Sequence, residues 1–325
     1  MFYKTDLFES LIEKGYYQEL VNFSEEKHKL QYESLFYEIK YSDIGFNSNN
    51  VTDAIFITGP SASGKTTFTN ILKTKLENYG YNCSVVSLDN YYLNREKIMK
   101  MQNPEMKEGD QWKDCDYETP DALDVRYFRK QMRDYTNGME ITVPEYDFSS
   151  GKRVKGKLTL KPTEKDMLLI EGIHALNPGF SRNLPFRKTF NVYLSPFDRY
   201  DVVDKNKNII GRIEPEQIRL MRRSYRDSLH RNAPLSINLK MWPNVRAGEE
   251  KYIKPCKKYA DFFFNTSVTY ELPFLAGKFK DMVKTLDEDE KKKLDEYFSI
   301  DLLNKIPTYY DFEVPEGSVF LEFCK

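Results

Sequence analysis

The chain has 325 residues, with 49 Lys+Arg against 50 Asp+Glu and a formal charge of −1. That balance argues against sequence-independent binding to nucleic acid or to anionic membranes, because both need a large cationic excess. A composition that is 40% hydrophobic and 14% aromatic argues against intrinsic disorder. No apolar run approaches the roughly 18–20 residues that cross a bilayer, and the acidic, aromatic start MFYKTDLFESLIEKGYY does not read as a secretory signal. Cys83, Cys115, Cys256 and Cys324 lie far apart, with no CxxC pair or neighbouring His. A disulfide framework or zinc site is therefore not expected, and a reducing cytoplasm fits.

Residues 1–50 are rich in Tyr, Glu and Lys, and place Leu7 and Leu11, then Leu35 and Ile39, four apart. This predicts an N-terminal helical extension ending in the turn-prone GFNSNN at 45–50. At Ala54 the pattern changes to AIFIT, a continuous apolar run typical of a buried parallel strand. Candidate strands at 54–58, 84–88, 167–171, 189–194 and 261–265 alternate with helical stretches at about 65–79, 121–136 and 216–231. The alternation predicts an α/β fold, a doubly wound and mostly parallel sheet, over a core spanning 51–268. ITVPEYDF and RVKGKLTLK flank SSGK, which predicts a β-hairpin inserted at about 139–162. A lid is expected at about 212–248, and Trp242 beside Pro243 reads as a loop anchor within it. Residues 269–325 read as a C-terminal helical extension, whose DEDEKKK run at 287–293 suits a solvated helix face or cap.

The strongest signal is Gly59-Pro60-Ser61-Ala62-Ser63-Gly64-Lys65-Thr66-Thr67, a G-x-x-x-x-G-K-[ST] loop. It follows the buried strand AIFIT and opens the helix FTNILKTKLENYG, the context in which backbone N–H groups converge on phosphate oxygens and the helix dipole favours an anion. Lys65 is placed to neutralise the β- and γ-phosphates and Thr66 to ligate Mg²⁺. The loop predicts binding of a nucleoside triphosphate.

Ligands in a doubly wound sheet sit beyond the C-terminal ends of the strands. Asp89 closes SVVSLDNYY there and Glu171 closes MLLIEGIHAL. A phosphotransferase acting on an alcohol needs one carboxylate to orient and deprotonate the hydroxyl and another to hold magnesium or its waters. Asp89 suits the first role and Glu171 the second; a turn cap and an ordinary strand-end acid are the bland readings. His174 reads as structural, and Cys115 as inert. Trp112, just before the expected acceptor site, reads as loop packing or as a ligand stack.

The segment Ile218–Arg231 reads IRLMRRSYRDSLHR. At 100° per residue, Arg219, Arg222, Arg223 and Arg226 share one stripe, while Ile218, Met221, Tyr225 and Leu229 share another. Clustered arginines without acids at i±4 repel one another unless a polyanion completes them, which predicts a lid helix presenting four guanidiniums to a triphosphate. A solvated basic face and an RNA-binding face are the alternatives, and the neutral overall charge weighs against the latter.

Taken together, the phosphate loop, S-x-D-N-Y-Y ending at Tyr92, Y-E-T-P-D-A at 117–122, P-E-Y-D-F at 144–148, L-I-E-G-I and R-R-x-x-R-D resemble the uridine kinase/phosphoribulokinase family of P-loop kinases, from about 53 to 267. The resemblance implies an ATP- and Mg²⁺-dependent kinase of a small-molecule alcohol, most similar to uridine kinase-like nucleoside kinases. It implies that Asp89 is the catalytic base, acting with Lys65, Arg223 and Arg226, that Gly59 to Thr67 and Arg231 hold the nucleotide, and that Thr66, Asp89 and Glu171 serve the metal. Tyr91, Glu118, Tyr146, Arg153 and Arg223 would line the acceptor pocket. Two positions depart from the pyrimidine kinase pattern: Glu118 replaces an Asp that grips ribose hydroxyls, and Gly151 replaces the hairpin His that reads the base edge. A sugar, polyol or pantothenate-like acceptor therefore stays open, as does a non-enzymatic ATP-dependent regulatory protein. Residues 1–50 and 270–325 either cover the core or mediate self-association into a homo-oligomer.

Overall fold

The computed structural model describes residues 1–42, 53–105, 115–163 and 166–324; the turn at 45–50 and Trp112 lie outside them. The chain opens with β1 (Phe2–Lys4), α1 (Thr5–Glu13) and the long α2 (Tyr17–Tyr41). Then come β2 (Asp53–Thr58), α3 (Lys65–Asn78), β3 (Asn82–Ser87), α4 (Arg95–Gln102) and α5 (Val125–Thr136). Four short strands follow: β4 (Ile141–Thr142), β5 (Glu145–Asp147), β6 (Lys152–Val154) and β7 (Thr159–Leu160). Next are β8 (Asp166–Glu171), α6 (Pro178–Ser181), β9 (Thr189–Ser195), β10 (Arg199–Val203) and β11 (Ile209–Ile213). The remainder holds α7 (Pro215–His230), α8 (Leu235–Gly248), β12 (Phe262–Asn265), α9 (Glu271–Val283), α10 (Glu288–Asp295), α11 (Ile300–Asn304) and a 3₁₀ turn at Val319–Phe323.

Five strands form a wholly parallel sheet in the order β12-β9-β2-β8-β3. Its central strands β2 and β8 are buried at every position, which is why DAIFIT and DMLLIE read as continuous rather than alternating runs. On one face, Tyr32, Leu35 and Ile39 of α2 and Phe68, Leu72 and Leu76 of α3 pack on Ile55, Ile57, Leu169 and Val192. On the other face, Phe128, Met132 and Tyr135 of α5 cover Phe56, Val86, Leu168 and Ile170. A third cluster joins α7, α8 and α9 to Phe320 and Phe323. The inserted segment is antiparallel as expected, β4 with β7 and β5 with β6.

The structure departs from the sequence reading in three places. The N-terminal stretch is not all helix: β1 pairs in parallel with β10, which pairs antiparallel with β11, making a second sheet. A three-residue strand and the solvent-facing IIGRI carry too short a pattern to register as strands. Strand β3 stops at Ser87, so Asp89 sits in a 3₁₀ turn, Leu88–Tyr91. Trp242 and Pro243 lie inside α8, where Leu239, Trp242 and Val245 are buried together; their burial offsets the backbone bond that Pro243 removes. DEDEKKK agrees with its reading as a helix face or cap: it starts α10 through a capping box between Asp287 and Glu290. Cys83 and Cys256 are free thiols, and among the described residues no helix is long and apolar enough to cross a membrane.

Candidate active site

The C-terminal ends of β2, β3 and β8 open into a cleft of about 860 Å³. Its floor is the loop between β2 and α3. Gly59 is forced to be glycine: a Cβ there would stand 2.3 Å from the Leu194 carbonyl oxygen. Ala62 (φ 58°) and Gly64 (φ 84°) take left-handed backbone, the kind of turn from which anion-binding backbone concavities are built. The buried Ser63 Oγ finds no hydrogen-bond partner among the described residues. Lys65 bends back over the loop, its Nζ donating to the carbonyls of Gly59 (3.0 Å) and Pro60 (3.1 Å). Burial pushes its ammonium pKa down, while the acids Glu171, Asp89 and Glu322 hold it up.

Asp89 and Glu171 face this lysine from neighbouring strand ends. Burial raises the Asp89 carboxyl, opposed by Lys65, Arg231 and Arg226. Burial, then the like charge of Asp89, pushes Glu171 up to about 7. Two oxygen acids that resist ionisation together are a donor set for a hard divalent cation. Among the described residues no cluster of three or more His, Cys, Asp or Glu offers a metal site. Mg²⁺ is ordinarily held by one or two carboxylates together with phosphates and water. The tight loop, the unpartnered Ser63 hydroxyl and this acid pair fit a nucleotide with its metal.

The arginines of α7 divide, contrary to the expected row of four. Arg219 is buried and donates from Nη2 to Glu249 Oε2 at 2.6 Å. Arg222 is fully buried and forks onto Glu271, Nε to Oε2 at 2.6 Å and Nη2 to Oε1 at 2.8 Å. Both are structural ion pairs, and their partners lie in segments that the helix pattern cannot show. Arg223 and Arg226 line the cleft with Arg231. Arg223 donates to Ser61 Oγ (2.7 Å) and Asn238 Oδ1 (3.1 Å), and Arg226 chelates Asp227 Oδ1 through Nε and Nη2. Asp227, four residues after Arg223, is an acid on the helix itself that the predicted unpaired stripe left out.

Across the cleft from the loop is an aromatic chamber. Tyr146 lies 5.4 Å from Tyr92 and 5.0 Å from Phe148, and Tyr117 stands edge-on to Tyr92 at 5.7 Å, all between ring centroids. Arg95 braces it, donating to Tyr117 Oη (3.2 Å) and the Phe148 carbonyl (2.9 Å). Glu118 Oε2 and Asn238 Nδ2 are buried here without partners among the described residues. Burial pushes the Glu118 carboxyl up to about 7, despite the pull of Arg223. Beneath it, His174 Nε2 bonds the Glu118 carbonyl at 2.9 Å, and burial takes its pKa down to about 4, as a neutral structural imidazole.

Of the residues expected at the site, Ser61, Ala62, Ser63, Gly64, Lys65, Thr66, Asp89, Glu118, Tyr146, Glu171, Arg223, Arg226 and Arg231 line the cleft together. Gly59 lies behind as backbone, and the Thr67 side chain donates to Glu322 Oε2 at 3.1 Å. Two expectations are corrected. Tyr91 is fully buried behind the site, donating to Gln131 Oε1 (2.7 Å); in its tandem pair it is Tyr92 that reaches the cleft. Arg153 is drawn away by Asp124 (3.1 Å) and lies over the Tyr127 ring, lining a separate hollow. Arg95, Tyr92, Tyr117, Phe148, Asn238 and Glu322 escaped the sequence reading. The P-E-Y-D-F motif contains Phe148 and could have indicated it; nothing in the local sequence marks Glu322.

A model of the phosphoribulokinase/uridine kinase family matches residues 54–272. The uridine kinase of Staphylococcus epidermidis is 29% identical over 213 residues, covering 65% of this chain and 86% of that protein. That of Macrococcus caseolyticus is 28% identical over 211 residues, with the same coverage. Among solved structures, one described as a fructose transport system kinase from Silicibacter is similar with a TM-score of 0.49 and 17% identity, covering 71% of this chain and 97% of that one. The chain belongs to the phosphoribulokinase/uridine kinase family. It is an ATP-dependent kinase that phosphorylates a small molecule.

Proposed function

We propose that the acceptor is a nucleoside, phosphorylated on a hydroxyl that Asp89 orients and deprotonates. The supporting observation is the chamber opposite the phosphate loop. Its aromatic wall of Tyr92, Tyr117, Tyr146 and Phe148 suits a planar base. The unpartnered Glu118 Oε2 and Asn238 Nδ2 offer an acceptor and a donor for sugar hydroxyls. The names of the relatives, uridine kinases at 28–29% identity, point the same way.

In this reading Lys65 and the N–H groups of the loop hold the triphosphate, and Thr66 with Glu171 and Asp89 would hold Mg²⁺. The metal would supply charge neutralisation at the β- and γ-phosphates. Arg223 and Arg226 stabilise charge on the phosphoryl group as it moves, as preorganised donors aimed at developing charge do. Asp89 lies among Lys65, Arg226 and Arg231, which favour its ionised, proton-accepting form against burial.

One observation supports a second reading. At the hairpin turn Gly151 has φ +67°, and a Cβ there would lie 2.4 Å from Arg95 Nε, so this position presents no side chain to a base edge. That favours a sugar or polyol acceptor. A panel of nucleosides, sugars and polyols with ATP and Mg²⁺, read by ADP release, separates the two. Uridine or cytidine turning over fastest supports the first; turnover confined to the non-nucleoside alcohols overturns it.

A further inference from the structure

The family match ends at residue 272, yet residues 318–323 return to the phosphate loop. Ser318 starts this 3₁₀ turn, its Oγ accepting from the Phe320 N–H and donating to Glu25 Oε1 on α2 at 2.7 Å. Val319, Phe320 and Phe323 are buried, and Val319 is packed so closely on the loop that a Cβ on Gly64 would come within 2.5 Å of its Cγ1. The Phe323 ring lies under the Arg222 guanidinium, 4.7 Å away. The turn is thus pinned to α2, to the loop and to α7 at once, and its one acidic side chain points into the cleft.

Glu322 Oε2 accepts from Thr67 Oγ1 (3.1 Å) and the Thr67 N–H (3.4 Å), both in the first turn of α3. Its Oε1 stands 3.7 Å from Arg226 Nη1. In a loop of this type the N–H groups at the helix start cradle nucleotide phosphates, and a cationic lid residue completes the charge. A carboxylate on the same donors and beside the same arginine has the charge, the acceptor oxygens and the location of a phosphate. The two anions cannot share these groups without strong mutual repulsion.

We propose that Glu322 is an intramolecular competitor for a nucleotide phosphate. It holds the Thr67 donors and Arg226 until a phosphate displaces it, so the C-terminal turn sets nucleotide affinity. Because the turn's backbone is pinned, the exchange is a swing of one side chain. The inference rests on the use of ATP and not on which alcohol is phosphorylated, so the acceptor panel and this test fail independently.

The test is calorimetric titration of ADP, ATP and adenosine, without acceptor, into the wild-type chain, Glu322→Gln and Glu322→Ala. The isosteric Gln variant guards against a packing defect, and thermal unfolding checks that each variant is folded. The expected result is ADP and ATP binding tightened by about tenfold, as removal of a juxtaposed like charge implies, with adenosine unchanged. Unchanged or weaker ADP and ATP binding in a folded Gln variant overturns the proposal, the weaker case making Glu322 a nucleotide ligand. An equal gain for adenosine overturns it too, because adenosine carries no phosphate.

Discussion

On α7, Arg222 and Arg223 are neighbours in sequence and differ in what they can do. Arg222 is fully buried against Glu271, with the Thr266 carbonyl accepting from Nη2 at 2.7 Å, so its charge is spent inside the protein. Arg223 bonds the neutral Ser61 and Asn238, stands a looser 3.7 Å from Asp227, which Arg226 also holds, and faces the cleft, so its charge remains available to an anion. The pair teaches that the supply of carboxylates from other segments, not position on the helix, decides which guanidinium is structural and which serves the site. Arg219 and Glu249 repeat the first case; Arg226, shared between Asp227 and Glu322, lies between the two.

The comparison can be broken most sharply at Arg222. Arg222→Met leaves Glu271 buried and uncompensated, and urea unfolding is expected to show a loss of about 3–5 kcal/mol. Adding Glu271→Leu should return most of it; a single variant as stable as wild type would erase the distinction. Arg223→Gln is expected to leave the unfolding midpoint nearly in place while phosphoryl transfer falls by about 10²–10³-fold, the cost of removing one charge-stabilising donor. A drop in stability of the Arg222 size would place Arg223 with the structural class.

His28 sharpens the contrast, because burial, reinforced by the charge of Arg222 and opposed by its bond to the Ser267 carbonyl, takes its pKa down to about 4 from 6.5. The unfolded chain therefore binds a proton that the native state refuses. Stability from this residue is complete above pH 6.5, falls as pH drops through the window and is fully lost below 4. At pH 5 the loss is about 2 kcal/mol from linkage, and His28→Gln should flatten that part of the urea-derived stability curve. The smallest effect is expected at Arg153, whose pairing with Asp124 is partly exposed. Arg153→Gln should cost less than about 1 kcal/mol, with the acceptor KM unmoved; a large rise in KM would return Arg153 to the acceptor pocket.

Much of the kinase core was legible because its signals are local. AIFIT and MLLIE are buried from both faces and show as unbroken apolar runs, and the phosphate loop needs its glycines within nine residues. Asp89 and Glu171 follow from strand ends. A helical wheel, by contrast, gives the angle of an arginine but not the depth of the neighbours it meets, so Glu249 and Glu271 could not be foreseen as partners of Arg219 and Arg222. The tandem Tyr91-Tyr92 posed a similar problem. The 3₁₀ turn after Ser87 swings Tyr91 onto Phe128 and Gln131, and strand alternation cannot predict that rotation. Arg153 was carried over by resemblance, and Asp124, the N-cap of α5, captures it.

The contact between Thr67 and Glu322 spans 255 residues of chain, which bears on how the protein is made. At ordinary synthesis rates, roughly 13–50 s pass between the emergence of the two partners from the ribosome. During that interval the five-stranded sheet can pair, while the loop, Arg222 and the α9 face that Phe320 and Phe323 later cover stay bare. A nascent chain in this window exposes apolar surface beside a formed phosphate loop, so nucleotide supplied during synthesis would act as a folding ligand before it acts as a substrate.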